Sequence, residues 1–156
     1  MAALHIVVVA PEIPWNTGNA GRTCLAVGAQ LHLVEPLGFS LDDRYLRRAG
    51  LDYWPRVRPE VWPSWAAFGE ALPDLGAAYF FSSRGARSFT DVSYPERAVL
   101  VFGRESVGLP PELLERHADR TVSIPMRDPE LRSLNLSTSI ALGAFEVRRQ
   151  WATRGL

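Results

Sequence analysis

The residues able to do chemistry gather in three polar turns and one early stretch. Ser82-Ser83-Arg84-Gly85, Gly103-Arg104-Glu105-Ser106-Val107-Gly108 and the segment from Arg127 to Asn135 each follow an apolar run. Asn16-Thr17-Gly18-Asn19-Ala20-Gly21-Arg22 follows the first such run. Together they offer backbone amides, Asn and Ser side chains, one carboxylate (Glu105) and one early arginine (Arg22). Such a set suits a polar organic cofactor and the positioning of a second substrate. The glycines permit close backbone approach. Other chemistries are poorly supported. There is no Walker sequence, no G-x-G-x-x-G after the first run and no G-x-S-x-G. His5, His32 and His117 stand apart from the Ser-rich turns, where packing or solvation is the expected role. No His, Asp or Glu pair has metal-ligand spacing, so no metal is expected.

The elements that position these turns follow from the hydrophobic pattern. Leu4 to Ala10 is a continuous β-branched run, as expected of a strand buried on both faces of a parallel sheet. A helix capped by Asn16 or Thr17 and running to about Ala29 should follow, then a strand from Leu31 to Val34. Leu41 to Gly50 predicts a short charged helix with Arg44, Arg47 and Arg48 on one face, either solvated or set against RNA phosphate. Val57 to Val61 reads as a short edge strand, because Pro59 cannot donate to a ladder. Ser64 caps a helix to Leu72. Ala77 to Phe81, Ala98 to Phe102 and Thr121 to Ile124 read as strands, with a short helix from Pro110 to about His117. The last helix runs from about Leu136 to Trp151, with Leu136, Ile140, Ala144, Val147 and Trp151 on one apolar stripe. Strands alternate with helices, so the fold class is α/β with a mainly parallel sheet flanked by helices. In open sheets of this kind ligands sit beyond the carboxyl ends of the strands, which is where all three turns fall.

Composition sets wider bounds. The 156 residues fit one domain, 1–156, and 47% hydrophobic content can fill a core. Formal net charge is zero, so any nucleic-acid site must be a local patch. All 17 basic residues are arginine, whose forked donors suit phosphate. Cys24, the single cysteine, lies in an apolar run and reads as a buried thiol. No stretch reaches the length of a membrane span and the N-terminus lacks a leader pattern, so the expected location is the cytoplasm, with no membrane partner.

The order and spacing of the motifs resemble the SPOUT superfamily of knotted RNA methyltransferases over nearly the whole chain. The first motif is Asn16-Thr17-Gly18-Asn19 with Arg22. The second is Phe102-Gly103, Glu105 and Gly108-Leu109. The third is Ile124-Pro125-Met126 with Leu134-Asn135-Leu136-Ser137. Ala10 to Pro14, Glu35 to Phe39 and Leu46 to Tyr53 look like the minimal subfamily that methylates the ribose 2′-hydroxyl of the tRNA wobble nucleotide, a cytidine or uridine in leucine tRNAs. The resemblance implies S-adenosylmethionine as methyl donor, a C-terminal deep trefoil knot, and a homodimer in which the partner completes the site. It places the cofactor against Phe81, Gly103, Ile124, Ser133, Leu134 and Asn135, with backbone groups at Phe81, Ile124 and Leu134 facing the adenine and Gly103 leaving room for the ribose. It makes Arg22, Asn16 and Glu105 the catalytic set, and assigns tRNA contact to Arg22, Asn19 and Arg84. Two rivals are methylation of another RNA and a non-catalytic RNA-binding role. One departure stands out. The subfamily often carries tyrosine before the glutamate of the last helix, and here the pair is Phe145-Glu146.

Overall fold

The computed structural model describes residues 1–42, 46 and 52–156. The expected charged helix with Arg44, Arg47 and Arg48 therefore lies outside the described residues. The strands are β1 (Ala3–Val9), β2 (Ala29–Val34), β3 (Glu60–Trp62), β4 (Ala77–Phe81), β5 (Arg87–Ser88), β6 (Arg97–Phe102) and β7 (Thr121–Ser123). The helices are α1 (Pro14–Val27), α2 (Trp54–Val57), α3 (Trp65–Leu75), α4 (Pro111–Arg116) and α5 (Leu136–Thr153). The strands form one seven-stranded sheet in the order β3-β2-β1-β6-β4-β7-β5. Every pairing in it is parallel. The α/β expectation holds.

Each central strand is buried on both faces, which explains its unbroken apolar run. Leu4, Ile6 and Val8 of β1 share a core with α1 and α5. Val7 and Val9 face the opposite way, onto Phe68 of α3 and Leu113 of α4. The apolar stripe of α5 behaves as its period predicts: Ile140, Ala144, Val147 and Trp151 are all fully buried. Each large aliphatic or aromatic side chain buried there stabilises the fold by about 1.5–3 kcal/mol. Gln150 and Trp151 are also tied to residues 92–95. Gln150 donates to the Val92 carbonyl, and the Trp151 indole donates to the Tyr94 and Pro95 carbonyls.

Two expectations were displaced by longer-range contacts. Helix α1 begins at Pro14, not beyond Asn16 or Thr17, and both of those residues are buried inside it. Ile13 is the residue before the helix and has no side chain able to cap it. The acceptor comes from far along the chain: Glu105 Oε1 accepts from the Glu12 N–H at 2.9 Å and Oε2 from the Ile13 N–H at 2.7 Å. The helix ends at Gly28, whose φ of 72° is the left-handed conformation that glycine adopts without strain. The expected strand from Val57 to Val61 is instead split. Pro55 favours a helical first turn, α2 ends at Val57, and β3 starts at Glu60, pairing with His32. It is an edge strand, as Pro59 suggested. The cap at Ser64 is as expected, with Oγ accepting from the Ala67 N–H at 3.1 Å.

The histidines are packing residues. Trp62 Nε1 donates to His32 Nδ1 at 3.1 Å, so the His32 proton sits on Nε2, facing His5 Nδ1 at 2.9 Å. Burial, with His5 alongside, pushes His32 down to about 4. Burial likewise pushes the Cys24 thiol up to about 12, which leaves it unreactive.

Candidate functional site

The carboxyl ends of β4, β6 and β7 open into one cavity of about 560 Å³, within the range of small-molecule sites. Its walls are residues 81–84, residues 102–109 and a stretch from Ile124 to Leu136, with Ile13 and Asn16 of the α1 entrance closing one side. All three polar turns thus meet where the parallel sheet places a ligand.

Hydrogen bonds join the three motif segments. Asn135 Oδ1 caps α5 by accepting from the Ser137 N–H at 2.9 Å, the Ser137 hydroxyl at 2.6 Å and the Thr138 N–H at 3.3 Å. The same side chain donates from Nδ2 to Asn16 Oδ1 at 3.2 Å. Asn16 Nδ2 in turn donates to Glu105 Oε2 at 3.3 Å. Asn16 is only 2% exposed, so losing either partner would strand a buried amide. A second bond set backs this one. Glu12 Oε1 accepts from the Ser106 N–H at 2.9 Å and its hydroxyl at 2.6 Å, and Arg104 Nε lies 3.4 Å away. The Ser106 hydroxyl, helped by its N–H and by Arg104, holds the Glu12 carboxyl below its ordinary value.

The expected cofactor residues all line the cavity: Phe81, Gly103, Ile124, Ser133, Leu134 and Asn135. Among the described residues, the backbone groups of Ile124 and Leu134 take part in no hydrogen bond, so they remain available to a ligand. The Phe81 ring is turned into the core, stacked on Phe102 with centroids 4.5 Å apart. Gly143 of α5 makes room for it, since a Cβ there would meet Phe81 Cζ at 2.9 Å. Phe81 therefore faces the cavity chiefly by its backbone. Gly103 serves the turn: a Cβ on it would lie 2.1 Å from the Gly108 carbonyl carbon. Arg84, Arg104 and Arg132 line the cavity and are exposed, giving it a cationic rim suited to carboxylate or phosphate. Arg104, Arg132, Met126 and Glu12 were not among the expected site residues, although Met126 was named in the third motif. Arg104 lies inside the second motif and Arg132 beside Ser133, so proximity was the available signal.

Residues 3–145 match the SpoU rRNA Methylase family. The chain belongs to that family. It is 48% identical over 153 residues, 97% of each chain, to the tRNA (cytidine(34)-2′-O)-methyltransferase of Burkholderia cenocepacia. A solved structure described as giving structural insights into the 2-OH methylation of C/U34 on tRNA is 47% identical, with a TM-score of 0.91 over 98% of this chain and 99% of that one. An AdoMet-bound rRNA methyltransferase from Sinorhizobium meliloti is 25% identical, with a TM-score of 0.80 over 94% of this chain and 56% of that one. The resemblance drawn from the three motifs is borne out, and the chain is a methyltransferase of the SpoU type.

In this SpoU methylase the remaining expected site residues stand outside the cavity. Arg22 is exposed on α1, as is Asn19. Six residues separate Arg22 from Asn16, which is about 9 Å along a helix and about 240° around it. The α1 face that meets the cavity is therefore not the face that carries Arg22. The Arg22 guanidinium instead lies over the Tyr53 ring, 5.6 Å from its centroid. Phe145 is exposed on α5 and takes no part in the cavity wall. Among the described residues, no group of three or more His, Cys, Asp or Glu is placed to hold a metal ion.

Proposed function

We propose that the chain transfers a methyl group from S-adenosylmethionine to the ribose 2′-hydroxyl of the wobble nucleotide, cytidine or uridine, of tRNA, with leucine tRNAs as the substrates, in the cytoplasm. The observation that carries this reading is the Asn135–Asn16–Glu105 chain of hydrogen bonds. It closes the three motif segments around one cavity, in a sequence so near a relative named for that wobble-position activity.

The cavity fits the cofactor. Unbonded backbone groups at Ile124 and Leu134, with the Phe81 backbone, would recognise the neutral adenine edge. Ser133 and Asn135 line the same wall. The favourable end of the α5 dipole matters little for a neutral base and a sulfonium. When bound, S-adenosylmethionine supplies an electrophilic methyl. The chain's own residues must orient the hydroxyl and stabilise the charge that grows on its oxygen. Arginine keeps its proton at any working pH. Arg22 is accordingly read as a phosphate clamp that stabilises the developing alkoxide, while the hydroxyl proton passes to RNA phosphate or water. Asn16 and Glu105 fix the start of α1 and act as positioning residues. Asn19, near Arg22, and Arg84, at the cavity rim, would contact the RNA backbone.

The same reading includes a homodimer and a C-terminal trefoil knot. Arg22 points away from the cavity of its own chain, which supports a site completed by Arg22 of a second copy. Trp15 of α1 and Leu142 and Phe145 of α5 are 59%, 40% and 54% exposed on helices that pack on one sheet face, a surface suited to burial between copies. The bonds from α5 to residues 92–95 support a C-terminal helix enclosed by an earlier loop.

The test is methylation of total tRNA from cells lacking the enzyme, with the product nucleotide mapped by mass spectrometry. A single ribose methyl at position 34 is expected. Methylation at another position, or in another RNA only, would reject the wobble assignment. Calorimetry with S-adenosylmethionine showing no binding would reject the enzyme reading altogether.

A further inference from the structure

We infer that Tyr53 is a positioning residue for Arg22, aiming its guanidinium and gripping the helical turn that carries it. The inference rests on the reading of Arg22 as the residue that acts on the RNA. Tyr53 touches that turn at two points. Its ring lies beneath the guanidinium, 5.6 Å from centroid to Cζ. Its hydroxyl donates to the Gly18 carbonyl at 3.1 Å. In an α-helix that carbonyl is the one paired with the Arg22 N–H. One side chain therefore contacts both the head group of Arg22 and the acceptor of its own amide.

The position of Tyr53 is itself well defined. It is 8% exposed and immediately precedes α2, which packs directly on α1. The contact is close at Gly21, where a Cβ would meet Trp54 Cζ3 at 2.8 Å and Val57 Cγ1 at 3.0 Å. A glycine beside Arg22 thus lets the Tyr53–Val57 segment dock against the turn that bears the arginine.

An aromatic partner has a specific consequence for an arginine meant to grip phosphate. A carboxylate would occupy the in-plane N–H donors. A ring occupies the face of the guanidinium and leaves those donors pointing outward. It also holds a long side chain in one orientation before RNA arrives, which lowers the ordering cost on binding. A mere packing role for Tyr53 predicts neither of these effects.

Tyr53→Leu, Tyr53→Phe and Arg22→Ala are compared singly, with Tyr53→Leu also combined with Arg22→Ala. Single-turnover methyl transfer to tRNA is measured, with S-adenosylmethionine affinity from calorimetry and the Arg22 Nε–Hε resonance from NMR. Y53L is expected to slow transfer by about tenfold while cofactor affinity is unchanged. Y53F, which keeps the ring, recovers most of that loss, and Y53L adds nothing to R22A. The Arg22 Hε signal is shifted upfield by the ring in the wild type and Y53F, and returns to its unshifted position in Y53L. A wild-type rate in Y53L, a Y53L loss that multiplies onto that of R22A, or an unshifted Hε signal in the wild type would overturn the inference. If Y53L does not fold, the wild-type resonance decides. R22A transferring at the wild-type rate would instead bring down the reading of Arg22, while the resonance still reports whether Tyr53 holds its side chain.

Discussion

Helix α1 serves two regions of the molecule, and they are built differently. Its first turn enters the cavity proposed to hold the cofactor, where Asn16 is buried and bonded to Asn135 on one side and Glu105 on the other. Farther along, Arg22 stands exposed over the Tyr53 ring and away from that cavity. The first region is joined within one chain, by bonds between residues far apart in sequence. The half proposed to meet RNA presents an exposed arginine over an aromatic ring. Substitutions in the first region should therefore disturb folding and cofactor binding together, and substitutions in the second should leave both intact.

The largest expected effect separates the two halves. Arg22→Ala should lower methyl transfer by about a hundredfold or more while S-adenosylmethionine affinity stays within about twofold. Equal loss of both, by single-turnover assay and calorimetry, would erase the distinction. Next is Gly103→Ala. Its Cβ would fall on the Gly108–Leu109 backbone, so the turn must shift and cofactor affinity should drop by at least about tenfold. Unchanged affinity would show that the turn does not shape the cavity. Asn135→Ala should be milder: about 1 kcal/mol of stability from the lost α5 cap, with a several-fold loss of cofactor affinity because Asn16 loses its partner. A stability loss with unaltered affinity would confine Asn135 to capping.

The smallest effect on methyl transfer lies away from both halves, on the α3 face of the sheet. His32 is held neutral in the fold, with its value near 4 against an ordinary 6.5. The unfolded chain therefore takes up a proton first as pH falls. Stability should be constant above about pH 7 and decline as pH drops through 6.5 toward 4. His5 adds to this loss, because burial holds it below its ordinary value, with Glu60 opposing that shift and Arg97 reinforcing it. Denaturant titrations at pH 7 and pH 5 giving equal stability would contradict the buried neutral pair.

Much of this organisation was legible in the sequence because it is local. The apolar runs of β1, β4 and β6, the Ser64 cap and the α5 stripe all signal through near neighbours. The three motif segments were legible by residue type and order. The beginning of α1 was not, because its cap is Glu105, 92 residues from Ile13. The aim of Phe81 was hidden for the same reason, since it depends on a glycine at position 143. The two-residue strand β5 is too short to carry a period. Arg22 was marked by its motif, but only the helical angle between it and Asn16 reveals that it faces out of its own cavity.

The division between a finished cofactor half and an RNA half completed by a second copy can be tested by mixing. At limiting S-adenosylmethionine, Arg22→Ala, which keeps the cofactor site, and Gly103→Ala, whose cofactor affinity is lowered, each retain about a tenth or less of the wild-type rate alone on this account. Subunit exchange between equal amounts should recover about a quarter of the wild-type rate, because half the dimers then hold one intact site. No recovery, with exchange confirmed by native mass spectrometry, would place Arg22 and the cavity of the same chain in one site and contradict the account.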